Sequence, residues 1–251
     1  MARYSDHPGA DARLRAVLEA QGPMTLPVVP PADMIAGFVG RVPDILLDLW
    51  SDTGVGDLRG GAMRLCLPSE LAPQMATLFR ADPDFGFPEG VKDPQPAARL
   101  RHTDVHAIAH SPFGDIIAWS ERHGFVHINI VQGLVAAPFL FNPKGAPHPD
   151  DAALDFILGA DDAVFDMDDR DMQPMLAPAV DTFGPLKRMF IYAPGPAATH
   201  DPIPTLDVLF PHSYPEWLDE RIASKRWTLA DLAGGRLNVR RIGPQPKAGK
   251  R

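Results

Sequence analysis

The alternation of apolar runs and short breaks between residues 101 and 135 predicts three consecutive β-strands. Aliphatic, β-branched and aromatic residues fill the runs, and the breaks at 111–114, 121–124 and 132–133 each contain glycine. Such spacing is typical of an antiparallel meander with short connections. The same stretch holds five of the nine histidines. It is therefore both a predicted sheet and the place where candidate chemistry concentrates.

Helical periodicity precedes the meander. Apolar residues recur every three or four positions, which predicts a series of helices, and an apolar run predicts one strand among them. The helices are predicted over 11–20, 32–39, 43–54 and 69–79, and the strand over 62–67. The glycine-rich segment 54–61 lacks the Lys-Ser/Thr pair of a phosphate-binding loop, so we interpret it as a turn. The run 134–141 extends the meander as a strand, and its Pro138 indicates an edge or a bulge.

The composition changes near residue 149. Nine aspartates and one arginine lie between residues 150 and 171. Helices are predicted beyond this boundary over 151–158, 169–183 and 213–225 and from Thr228, with a strand over 189–193. The predicted fold class is α+β, with N-terminal helices packed on an antiparallel meander sheet. The predicted units are an N-terminal helix (1–24), an α+β domain (25–148), a small, mainly helical C-terminal domain (149–235) and a flexible basic tail (236–251).

Charge and composition narrow the classes of function. The net charge of −8 argues against direct binding of nucleic acid and suits either plain solubility or docking to a basic partner. The sequence contains no run of about 18 apolar residues, so no membrane-spanning helix is predicted. The N-terminus lacks the apolar core of a signal peptide. The single cysteine, Cys66, sits in an apolar strand, which predicts a buried, inert thiol. We expect a cytoplasmic protein.

Two histidine patterns are candidate metal sites. His102, Asp104 and His106 alternate along one predicted strand, so all three would share a face and could ligate zinc or iron. The alternative is the polar outer face of a half-buried strand. His123 and His127 with Asn129 could serve a metal-dependent nuclease, but that arrangement needs a helix after the hairpin, and a strand is predicted there.

Other signatures of chemistry fail on spacing. The aspartates of 165–171 lack the glycine and glutamate that an EF-hand loop requires at its sixth and twelfth positions. Several of them are better explained as residues at a helix N-terminus, and the rest as acidic surface. No G-x-S-x-G motif is present, and no nucleophile or cofactor site is predicted.

Three stretches resemble known domains. Two motifs resemble the GAD-like domain. One is a Val-Pro-x-x-Leu-Leu-x-x-Trp helix that ends at a glycine, and the other is a Phe-Gly-Asp turn that leads into an aliphatic–Trp strand. The matching residues are Pro43, Leu46, Leu47, Trp50, Gly54, Phe113, Gly114, Asp115 and Trp119. The turn Phe183-Gly184-Pro185-Leu186 before an aromatic strand is similar to the small C-terminal domain of immunity proteins against type VI secretion DNase effectors. Lys187 and Arg188 depart from that pattern, where an acidic residue is usual.

The resemblance implies a non-enzyme without cofactors that binds a cognate toxin. The partner would be a basic nuclease, neutralised by occlusion of its DNA-binding or catalytic face. The candidate contact residues are Asp82, Asp84, Phe85, Asp161, Asp162, Asp168 and Asp169. The alternatives are a regulatory or interaction domain of the same fold without a toxin, and a metal-binding enzyme that uses His102, Asp104 and His106.

Overall fold

A computed structural model describes residues 3–92, 100–160, 165–194, 205–233 and 236–244, apart from the side chains of 231–233 and 236. The α-helices are α1 (Ala10–Gln21), α2 (Ala32–Ala36), α3 (Asp44–Asp52), α4 (Ala72–Phe79), α5 (Pro138–Phe141), α6 (Pro149–Ala152), α7 (Leu176–Phe183) and α8 (Tyr214–Ser224). A π-helical stretch, Ala153–Leu158, continues α6. Within the described ranges, no helix has the length and apolar character needed to cross a membrane.

Nine strands form one large sheet. They run in the order β1 (Thr25–Val28), β2 (Val55–Leu58), β3 (Met63–Leu65), β4 (Val105–His110), β5 (Ile116–Ser120), β6 (Gly124–Asn129), β7 (Leu134–Ala136), β10 (Trp227–Ala233) and β11 (Arg236–Ile242). Every pairing is antiparallel except that of β7 with β10. The strands β8 (Phe190–Pro194) and β9 (Leu209–Ser213) form a separate antiparallel pair. The predicted α+β class and the meander β4–β6 are confirmed.

The central strands are covered on both faces. Ile117 and Trp119 of β5 pack in the core that holds α1, α3 and the π-helical stretch. Ile116 and Ala118, which point the other way, pack in a second core with α4 and α8. Because strand side chains alternate between faces, such a strand is apolar throughout rather than alternately apolar and polar.

Two elements before the C-terminal region differ from the prediction. The glycine-rich segment 54–61 is not simply a turn, because its first half forms the buried strand β2. The Cβ of an alanine at Gly54 would lie 2.5 Å from the Val28 carbonyl oxygen, and that of one at Gly56 2.6 Å from the Thr25 carbonyl oxygen. These glycines therefore let β1 lie close against β2. The predicted strand over 134–141 ends at Ala136, and Pro138 begins α5 instead.

The C-terminal region completes the large sheet. The helix predicted from Thr228 is wrong, because β10 occupies this position with Trp227 and Leu229 buried on one face. The predicted flexible tail is wrong for 236–242, where β11 pairs with β10 throughout its length. Alternation of buried and part-buried residues along β10 is the strand pattern, whereas a threonine cap suggested a helix. Residues on both sides of position 149 thus share one sheet.

The Phe-Gly-Asp turn holds the C-terminal region to the meander. The Tyr214 hydroxyl donates to the Gly114 carbonyl oxygen at 2.5 Å, and the Tyr192 amide donates to that of Pro112 at 2.7 Å. The Cβ of an alanine at Gly114 would lie 3.0 Å from the Trp217 ring. The Asp115 carboxylate accepts from the Ile130 amide at 3.0 Å and so fixes the next turn. The turn is therefore a packing site for α8 as well as a β-connection.

The remaining motif residues also have structural roles. Phe113 and Trp119 are buried, as expected, and Trp50 is fully buried in α3, which begins directly after Pro43. Gly184, at φ 76°, ends α7 just before Pro185, and its carbonyl oxygen accepts from the Tyr192 hydroxyl at 2.5 Å. The resemblance therefore rests on residues that build the fold.

Candidate functional site

The structure does not bring His102, Asp104 and His106, the candidate metal ligands, together as a group. β4 begins at Val105, after His102 and Asp104, and it is buried on both faces rather than half-exposed. The fully buried Asp104 accepts from the Arg122 side chain at 2.6 Å and from the Ser120 hydroxyl at 3.1 Å. In the described part of the chain, no three His, Cys, Asp or Glu side chains are grouped closely enough to hold a metal ion.

Glu121 instead is the hydrogen-bond acceptor that several side chains share at this end of the meander. Its Oε1 accepts from His106 Nε2 at 2.7 Å, from Arg41 Nε at 3.2 Å and from Arg101. Burial disfavours the charged carboxylate, but the hydrogen bond from His106 and the nearby positive charges outweigh it. They hold the pKa of Glu121 below its ordinary value. The cluster ties the segment before α3 and the segment before β4 to the turn after β5.

The other histidines of the meander are also structural. The buried His110 donates from Nδ1 to the Ser111 carbonyl oxygen at 2.9 Å and packs against the Tyr214 ring. Burial lowers its pKa to about 3. His123 Nε2 lies 3.1 Å from the Asp84 carbonyl oxygen, and His127 lies 3.7 Å from Asp115. Cys66 is fully buried, as expected, and burial raises the pKa of its thiol.

The first group of predicted contact residues is engaged inside the protein. Phe85 is fully buried, so its prediction as a contact residue is wrong. Arg240 of β11 donates to Asp82 at 2.5 and 2.9 Å and to Asp84 at 2.5 Å. The Asp82 carboxylate also accepts from the amides of Asp84 and Phe85, which closes the turn. These two aspartates hold β11 in place instead of offering open negative charge.

Of the second group, Asp168 and Asp169 lie in a turn before α7. Asp161 and Asp162 lie outside the described residues. Asp169 accepts from the amides of Asp171 and Gln173, so it organises a turn where a helix was predicted to begin. The nearby Asp166 accepts from the Met175 and Leu176 amides and so caps α7, as expected of aspartates at a helix start. Asp168 is exposed.

An exposed apolar edge is a feature that the sequence analysis missed. Eleven large apolar side chains are exposed in the described residues, and five of them lie within one stretch of 14 residues. Three of the five, Leu26, Val28 and Val29, lie in β1 or directly after it, and we call these three residues the β1 surface. Every residue of β1 is exposed, and β1 is an end strand of the large sheet. The sequence did contain a signal for this edge. It is a long apolar and proline-rich stretch that lacks lysine and arginine and that no predicted helix covers.

A groove of about 430 Å³ lies between the end of α1 and β2. Leu18 of α1, Met24 before β1 and Leu58 of β2 supply its apolar wall, and Glu19 lies at its margin. The residue after Leu58, Arg59, places its guanidinium 5.7 Å from the centre of the ring of Phe165, where the acidic turn 165–171 begins. The Gln21 side chain donates to the Leu158 carbonyl oxygen from the end of α1. The groove therefore lies between the end of α1, the segment that leads into β1, and β2.

Comparisons with known proteins support the class of fold. Residues 13–132, from within α1 to just beyond β6, match the model of the GAD-like domain family. The crystal structure of Atu4351 from Agrobacterium tumefaciens has a similar fold, with a TM-score of 0.74 and 23% identity. The likeness covers 91% of this chain and 97% of that chain. No curated protein matches the sequence.

Proposed function

We propose that the protein is an immunity protein that binds and neutralises a cognate type VI secretion DNase toxin in the cytoplasm of the producing cell. The proposal rests on one observation: the part of the chain that resembles the GAD-like domain and the part that resembles the small C-terminal domain are in contact. The turn at 183–186 leads into β8, which is held to the Phe-Gly-Asp turn of the GAD-like domain through the Tyr192 amide. The two parts resemble, together, the domain pair of such immunity proteins.

The charge of the protein supports the same function. A DNase must present cationic surface to the phosphates of DNA. A protein of net charge −8 can approach that surface quickly through electrostatic steering and occlude it. The exposed Asp168 is available for such a contact, whereas Asp82 is held by Arg240. Neutralisation by binding also needs no catalytic group, in keeping with the structural roles of Asp104, His106 and His110.

Co-expression tests the proposal. The gene adjacent to the one for this chain would encode the toxin, expected to be a large protein that ends in a nuclease domain. We expect cells that express this neighbour alone to lose viability and to degrade their DNA, and co-expression of the chain to restore both. A neighbour that remains equally toxic when the chain is present at a matched level contradicts the immunity function.

The acidic turn provides a separate test of the contact surface. The substitution Asp168→Lys reverses one exposed charge without touching the bonds that Asp166 and Asp169 make to the backbone. We expect it to slow association with the toxin at low salt, with the difference shrinking as salt screens the charge. Lys144→Glu, an exposed charge reversal after α5, is the control. Equal association rates for Asp168→Lys and the wild type would place the contact elsewhere.

A further inference from the structure

The strand β11 is an open edge at the opposite end of the large sheet from β1. β10 pairs with one side of β11, and among the described strands none pairs with the other side. β11 is seven residues long and contains no proline, and its register on β10 runs without a shift from Arg236 to Ile242. Natural proteins commonly protect an edge by a short strand, a proline or a bulge, each of which blocks the addition of another strand. β11 has none of these three features.

β11 is also anchored in one position on the rest of the protein. Its Arg240 donates to the carboxylates of Asp82 and Asp84. Ile242, near the end of the strand, is buried in the core that also holds α4 and α8. An edge that is ordered in advance loses little conformational entropy when another strand pairs with it. The backbone of β11 is therefore preformed for pairing.

The outer face of β11 is apolar at its middle. Leu237 and Val239 are 68% and 58% exposed. Because strand side chains alternate between faces, they share this face with Arg241, which is also exposed. The opposite positions on β10 include Ala230, which is too small to cover Val239. Two large aliphatic side chains thus lie in water beside an open backbone edge, a combination typical of surfaces where chains associate.

The arginines of β11 decide which strand can pair with it, because charge on an edge repels like charge. In an antiparallel pair of two β11 strands related by a two-fold axis, full overlap places Val239 opposite its own counterpart. Leu237 then faces Arg241, and every arginine faces an uncharged residue. Moving the axis by one residue would oppose Arg240 to itself or to Arg236. The register that uses the whole strand is therefore also one that avoids like charges, so the edge fits a second copy of itself.

We infer that the protein forms a two-fold symmetric dimer in which the two β11 strands pair antiparallel and join the nine-stranded sheets into one continuous sheet. Main-chain hydrogen bonds fix the register, and burial of Leu237 and Val239 provides the apolar contact. The net charge of −8 on each copy opposes the approach of two copies. The contact strand itself carries no carboxylate, however, and the charges of Asp82 and Asp84 beside it are paired with Arg240. This dimer does not depend on the binding of a nuclease.

Sedimentation of the purified full-length chain at ~10–100 μM tests for the dimer. We expect the wild type to dimerise and Val239→Arg to raise the Kd of the dimer at least tenfold, because two like charges would then face each other at the axis. Val28→Arg is the matched control, since Val28 is an exposed valine of the β1 surface on the other end strand, and it should change the Kd by less than twofold. A monomeric wild type, or a Val239→Arg variant that dimerises as well as the wild type, would overturn the inference.

Single cysteines test the register of the pair. Val239→Cys would set two cysteines opposite each other with Cα atoms about 4.5–5.5 Å apart, a distance that a disulfide can bridge. Leu237→Cys is the control, because the two copies of this similarly exposed position would lie ~13 Å apart along the strands. The natural Cys66 is fully buried. We expect mild oxidation to link Val239→Cys into a dimer and to leave Leu237→Cys unlinked. Equal linking of the two variants, or stronger linking at position 237, would overturn the inference.

Discussion

At the level of single residues, the meander shows how burial converts apparent chemistry into structure. The alternation of His102, Asp104 and His106 suggested a polar face, but helices on both sides of the sheet bury β4. The partners that satisfy these groups come from distant positions, as with Arg41 and Arg101 on Glu121. No local spacing contains that information. The burial of Trp119 and Cys66 was predictable, because both lie in apolar stretches of the sequence, whereas the partners of Phe113, such as Met175 and Tyr192, are distant in sequence.

His110 should make stability fall in mild acid. Burial lowers its pKa to about 3, so the unfolded chain binds the proton more readily than the folded one. Stability from this group is therefore full above its ordinary pKa of about 6.5 and is lost as the pH falls towards 3. We expect a loss of ~2 kcal/mol in the free energy of unfolding between pH 7.5 and 5, measured with urea. His110→Gln should show a correspondingly smaller loss, and an equal loss in both proteins would contradict the assignment.

Glu121 should affect the stability of the protein at lower pH than His110 does. Its pKa is held below its ordinary value, so its contribution is present above pH 4.5 and is lost as the pH falls through the folded value. We expect Glu121→Gln to lower the free energy of unfolding by ~2 kcal/mol at pH 7, since three donors lose a charged acceptor. The difference from the wild type should shrink towards pH 3. A difference that stays constant from pH 7 to pH 3 would show that charge is not the cause.

At the level of elements, the sequence predicted helices well where apolar residues repeat at helical spacing between clear breaks. Helices α1, α3 and α8 lie within about two residues of their predicted positions. The prediction failed at β2 and β10, because these segments form strands only through the strands that lie beside them. The glycines of β2 suggested a turn, yet they are needed because β1 passes so close. β10 is a strand because β7 and β11 pair with it.

Gly54 should control the position of β1. It has φ 83°, and an alanine there would place its Cβ 2.5 Å from the Val28 carbonyl oxygen. We expect Gly54→Ala to destabilise the protein by ~2–4 kcal/mol and to speed hydrogen exchange in β1. Gly60→Ala is the control, because Gly60 also has positive φ but nothing lies within 4 Å of its added Cβ. It should cost only ~1 kcal/mol. Equal effects would mean that β1 does not press on Gly54.

At the level of the whole molecule, the sheet joins regions that composition had separated. The acidic shift near residue 149 suggested a boundary, but β10 and β11 extend the GAD-like sheet and α8 covers one of its faces. Pairing between residues about 90 positions apart, such as Leu134 with Thr228, leaves no trace in local periodicity. The predicted α+β class was therefore correct, while the shared sheet had to be seen in three dimensions.

The shared sheet predicts a single cooperative unfolding transition. A chain truncated after residue 148 would expose the core that packs Trp217, Leu218 and Ile222 against the meander. We expect the full chain to unfold in one step, with fluorescence and circular dichroism transitions that coincide. The truncated chain should be aggregated or unfolded. Two separate transitions in the full chain, or a stably folded truncated chain, would show that the two regions are independent.

The central claim is that this protein neutralises a nuclease by binding it. The most direct measurement is DNA cleavage by the purified nuclease of the adjacent gene, titrated with the purified full-length chain. We predict that cleavage falls in proportion to the chain added and stops at a fixed stoichiometry, with weaker inhibition at high salt. Cleavage that continues undiminished at a large excess of the chain would contradict the account.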